Sequence, residues 1–178
     1  MKKYVDDYEV VVQENEKGRE KREAVYVGDY YEINLDETEF RNFRHNSLLF
    51  VALIVIGQIG AGFVGNLGMY TFFVSLPYVF TFLPLYYLVD GSLRLPKEKR
   101  QFRRDETDHI FERMKKAARF LLPLLGIAVV GELVFMIWLA NGVIWQEILF
   151  LAIELVLVFI VYIMIRMQQE LEVTRITK

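Results

Sequence analysis

Three carboxylic acids, Glu132, Glu147 and Glu154, stand in the apolar second half of the chain, and no Lys or Arg shares their depth. Carboxylates of this kind can bind cations or carry protons. Glu147 and Glu154 are seven residues apart, two helical turns, which puts both on one helix face. Asn141-Gly142 predicts a tight turn between the two apolar runs that hold the acids. Glu132 lies nine residues before Asn141 and Glu154 thirteen after it. At about 1.5 Å per residue the two differ in depth by roughly 6 Å and can approach each other. Two readings stay open. In one, Glu132 and Glu154 bind a cation or proton, Glu147 marks the outer mouth and Gln58 is a neutral ligand. In the other, desolvation keeps the carboxyls protonated, and they hydrogen-bond Gln58, Tyr78 or Ser75 to hold the helices together.

No other constellation of residues competes with these acids. His109 stands beside Asp105, Asp108 and Glu112, a pattern shared by a surface metal site and by a solvated helix face, and His45 is remote in sequence. Walker, GxSxG, HExxH and dinucleotide fingerprints do not occur. The chain has no Cys, hence no disulfide, thiolate metal site or cysteine nucleophile. The expectation is a non-enzymatic protein with no catalytic residues, no metal site and no cofactor.

Four apolar runs must position the acids: Ser47 to Val64, Tyr70 to Val89, Phe120 to Ala140 and Val143 to Ile165. Each is about long enough to cross a bilayer, which takes roughly 17 to 25 residues. Lipid offers the backbone no hydrogen bonds, so the runs must be helical. The predicted fold class is membrane all-α, with four transmembrane helices and a small N-terminal antiparallel β-meander. The first run follows a long charged segment, which argues against a cleavable signal peptide. Of the 21 Lys and Arg, 8 precede Ser47, 10 lie from Asp90 to Arg119, and 3 fall at or after Arg166. The positive-inside rule then places both termini and the central loop in the cytoplasm. The net charge of −2 gives no sign of nucleic-acid binding.

Five segments follow. Residues 1–36 read as a cytoplasmic β-meander, with Gly28-Asp29 turning the second strand into the third. Residues 37–89 hold a juxtamembrane helix, capped by Asp36 or Thr38, and the first two spans. Gly57, Ala61 and Gly65 form a stripe of small residues for helix packing, within the chain or between copies. Pro77 and Pro84 lie in the second span, where Thr71, Ser75, Tyr78 and Thr81 make a polar stripe. Residues 90–119 form a basic loop. Its Lys97, Lys99, Arg100, Arg103 and Arg104 are candidates for contact with anionic lipid headgroups or a partner. Ile110, Phe111, Met114, Ala117, Ala118 and Leu121 predict an amphipathic helix leading into the third span. Residues 120–166 hold the last two spans, with Pro123 predicted to kink the third, and 167–178 form a tail too short for a domain.

The motifs Tyr26-Val27-Gly28-Asp29-Tyr30-Tyr31, Thr71-Phe72-Phe73-Val74, Leu76-Pro77-Tyr78-Val79 and Phe82-Leu83-Pro84-Leu85 resemble an uncharacterised family of small four-span proteins from gut Firmicutes. The resemblance implies a bacterial plasma membrane and brings no activity or site residues. The expected role is a membrane accessory or scaffold protein contacting a membrane-protein partner or forming a homo-oligomer in the lipid bilayer. The alternative is a proton- or cation-coupled transporter or channel.

Overall fold

Asp36 opens the first long helix. In the computed structural model, which describes residues 2–14, 20–98, 101–139, 142 and 145–176, its side chain accepts from the Glu39 amide while Glu39 accepts from the Asp36 amide, a reciprocal capping box. The helix, α1 (Glu37–Gly62), carries the chain from the charged segment into the first apolar run without a break. Three more follow: α2 (Phe72–Leu93), α3 (Arg104–Leu139) and α4 (Trp145–Gln169). All four are long and apolar enough to cross a membrane. Each packs on its neighbours, α1 on α2, α2 on α3, α3 on α4 and α4 back on α1, giving a closed ring. The predicted amphipathic segment is the first part of α3, and all six of its apolar positions are buried. Single π-helical turns at Asp108–Glu112 and Phe135–Leu139 lie within α3, while the helix passes Pro123 unbroken.

The buried residues of α4 are Glu147, Phe150, Glu154, Leu157, Val161, Met164, Ile165 and Gln168. Ile165 apart, they alternate in steps of three and four residues, the seam spacing of helices that pack side by side. Leu, Ile, Phe and Val side chains on the opposite faces remain exposed, Ile56, Phe80, Ile137 and Phe159 among them. Exposed apolar surface of this extent is the kind that interaction with a membrane or a partner covers.

At the basic end the predicted meander is corrected. Strands β1 (Tyr8–Glu14) and β2 (Glu20–Tyr26) do pair as an antiparallel hairpin. The third, β3 (Tyr30–Ile33), joins a different sheet, between β4 (Phe102–Arg103) and β5 (Val173–Ile176). The Gly28-Asp29 turn does not close a hairpin because the Asp7 carbonyl takes both the Val27 and Gly28 amides, and the Tyr26 hydroxyl donates to the Asp29 carbonyl. The chain therefore leaves β2 and buries Ile33 with Phe40, Phe102, Phe111 and Leu171, an apolar cluster that the hairpin could not supply. The C-terminal tail is thus a strand of this sheet. Asn34 clamps it, donating to the Glu170 carbonyl and accepting from the Glu172 amide, and Lys115 caps the Leu171 carbonyl. Hydrogen bonds between β3, β4 and β5 fix the N-terminal segment, the α2–α3 connection and the tail at one end of the bundle.

Candidate functional site

The interior of the bundle is lined by residues that its two periodicities select. Glu132 on α3 and Glu147 and Glu154 on α4 are all 0% exposed, as is Gln58 on α1. The seven-residue spacing of the α4 acids places both on the packing seam.

Glu132 meets Glu147 rather than Glu154. The two carboxyl groups interact directly with each other. The connection between α1 and α2 folds onto this pair from the outer end. Asn66 donates its side-chain amide to Glu132 Oε2 at 3.1 Å, and the Leu67 and Gly68 backbone amides donate to Glu147 at 2.7 and 3.4 Å. Glu147 also stands in the first turn of α4, where the helix dipole favours an acidic group. The outer two acids therefore fasten the loop that closes that end of the bundle. Asn66, 1% exposed, is the residue that sequence reasoning missed. An Asn between Gly65 and Leu67 in a short connection carries no pattern that marks it as buried.

Glu154 lies one helical turn beyond Phe150, which packs with Ala61, Val74 and Tyr78 and separates it from the outer pair. Both Glu154 oxygens, and both polar atoms of the Gln58 side chain, are buried with no hydrogen-bond partner among the described residues. Tyr78 on α2 connects the two. Its hydroxyl donates to the Gln58 backbone carbonyl at 2.6 Å, and the Glu154 carboxyl lies in electrostatic range of it. The remaining hydroxyls of the α2 stripe turn back on their own helix. Thr71 donates to the Gly68 carbonyl, Ser75 to that of Thr71 and Thr81 to that of Tyr78.

Of the small-residue stripe, Gly57 faces Leu157, and Ala61 is fully buried against α2 and α4, so both serve packing within this chain. Gly65 lies beyond the end of α1 with φ at +72°, in the left-handed region where a turn favours glycine, and faces open space.

The basic cluster of the central connection divides. Lys99 and Arg100 lie outside the described residues, and Lys97 is exposed beside Glu37, Arg41 and Glu98. Arg103 stacks on the Tyr26 ring at 5.4 Å, and Arg104 faces Asp7 while its amide donates to the Tyr26 hydroxyl. These two hold the hairpin against α3. A groove of about 540 Å³ between apolar Leu83 and Phe120 and polar Tyr87, His109, Arg113 and Lys116 lies where the apolar run of α3 gives way to charge. Arg113 is held there by Asp90, the His109 ring and the Tyr87 face. His109 has no set of metal-binding neighbours among the described residues; His45 is exposed on α1.

No family model, curated protein or solved structure matches this chain.

Proposed function

We propose that this chain is a non-enzymatic multi-pass membrane protein that acts as a scaffold in pairs, two copies joining along the free edge of β1 on the cytoplasmic side. The charge bias toward the N-terminal segment, the α2–α3 connection and the tail assigns that end to the cytoplasm. The family resemblance points to a bacterial plasma membrane.

The observation that carries the reading is the β1–β2 hairpin. Among the described residues its seven-residue strands form a sheet of two, and Val10, Val11 and Val25 are 67, 39 and 41% exposed. Two-stranded ribbons are marginal in water, and a long apolar edge is a template for pairing. Two β1 strands related by a two-fold at their central residue, Val11, place Val10 opposite Val12 and Glu9 opposite Gln13, with no like charges facing. The same operation at the central residue of β2 sets Glu23 opposite itself, which favours the β1 edge. The second copy is therefore the occupant that fits the β1 edge. Buried acids that fasten the outer loop, and a sheet that ties three segments to the spans, give the paired copies a rigid base.

Light scattering on the purified protein in detergent tests this. Wild type is expected as two copies per particle and Val11→Lys, which sets two ammonium groups face to face, as one. Two copies in both would refute pairing through β1.

A second reading, movement of a proton or cation through the bundle, is favoured by one observation, the Glu154 and Gln58 side chains, which have no hydrogen-bond partner among the described residues.

A further inference from the structure

We infer that Glu154 and Gln58 bind one sodium-sized monovalent cation inside the bundle, a site that does not rest on pairing of copies. Four buried polar atoms without a hydrogen bond among the described residues, two on each of these side chains, stand on facing helices. Native interiors satisfy nearly all such groups, and those left over need an ion, a water or a functional reason. A carboxyl in hydrocarbon depth without any partner is the most expensive of them.

The chemistry of the atoms names the occupant. Glu154 offers two oxygens and one negative charge, Gln58 one amide oxygen, and Tyr78 an oxygen that gives its proton to the Gln58 carbonyl and takes one hydrogen bond from the Gly62 amide, leaving one acceptor position. An all-oxygen set suits a hard cation. Charge decides its valence. Asn66 and the Leu67 and Gly68 amides donate to Glu132 and Glu147, so Glu154 is the acid of this interior left without a donor among the described residues, and one monovalent cation neutralises it. A divalent ion would bring an uncompensated charge into a low-dielectric interior. Phe150 on one side and Leu157 on the other, 0 and 2% exposed, enclose Glu154 along the seam, which restricts the occupant to a small ion. Glu132 lies in electrostatic range of Glu154.

Thermal unfolding of the purified protein in sodium chloride against choline chloride, at constant ionic strength and pH, is the test. The midpoint should rise with sodium and saturate, because an ion that binds only the folded state stabilises it by mass action. Glu154→Gln should abolish the rise. Gln58→Leu keeps the charge but removes one ligand, and should raise the half-saturating sodium concentration about tenfold or more. If Glu154→Gln does not fold, the comparison of wild type with Gln58→Leu decides alone. A midpoint that is the same in both salts, or one that rises equally in the variants, overturns the site. A midpoint that responds to pH but not to sodium overturns it as well, and leaves a protonated carboxyl in its place.

Discussion

Pro77 has no amide proton to give the Phe73 carbonyl four residues earlier, and Gly131 of α3 packs directly on that carbonyl. A Cβ at residue 131 would sit 2.7 Å from the Phe73 oxygen, a backbone atom that cannot step aside. Gly131→Ala should push α2 and α3 apart and lower stability by about 1–3 kcal/mol, measured by denaturant unfolding in detergent. Tyr26 gives the pH prediction. Burial, opposed by the Arg104 amide hydrogen bond and reinforced by Asp7 and Asp105, raises its hydroxyl above the ordinary 10.0. The folded protein then holds a proton that the unfolded chain releases, so this contribution to stability is complete below pH 10 and declines as pH rises through the folded value. Tyr26→Phe should flatten the alkaline loss of stability, read from unfolding midpoints across that range. At this scale the sequence revealed which acids are buried but not which of them meet. Against the nine residues from Glu132 to Asn141, Glu147 at six and Glu154 at thirteen differ by three and four residues, so depth counting alone does not separate them as partners of Glu132. The π-turn at Phe135–Leu139 changes the rise of α3 between Glu132 and the outer turn, which no composition signals.

At the scale of elements, the helices were legible because 3.6-residue periodicity and length suffice, down to the Asp36 cap and the amphipathic start of α3. Strand pairing was not. The Gly28-Asp29 pair is a good hairpin turn locally, and only the long-range burial of Ile33 against Phe102 and Leu171 redirects β3 to its partners. β5 covers one whole edge of β3, from Tyr30 opposite Ile176 to Ile33 opposite Val173. Removing residues 173–178 should leave the helices intact and speed amide hydrogen exchange at residues 30–33 by about tenfold or more, since each lost ladder bond weakens local protection. Unchanged protection there would show that β4 and the cluster beneath it hold β3 without the tail.

For the whole molecule, the sheet of β3, β4 and β5 makes a prediction about topology independent of the charge bias. Segments that are hydrogen-bonded to each other cannot lie on opposite sides of a membrane. The chain has no Cys, so each introduced cysteine is unique. Cysteines replacing Asp29, Lys97 or Arg175 should label from the same side with a membrane-impermeant maleimide, and one replacing Gly142 from the other. The central claim, pairing of two copies through β1, is tested most directly by oxidising membranes that carry Val11→Cys. A two-fold at this residue brings the two Cβ atoms to about 4.5–5.5 Å, within reach of a disulfide. Val25→Cys on β2 lies three strand spacings from the β2 of the other copy, so its mate is more than about 14 Å away. The account predicts a covalent dimer at residue 11 and monomer at residue 25; monomer at both, or dimer at both, would contradict it.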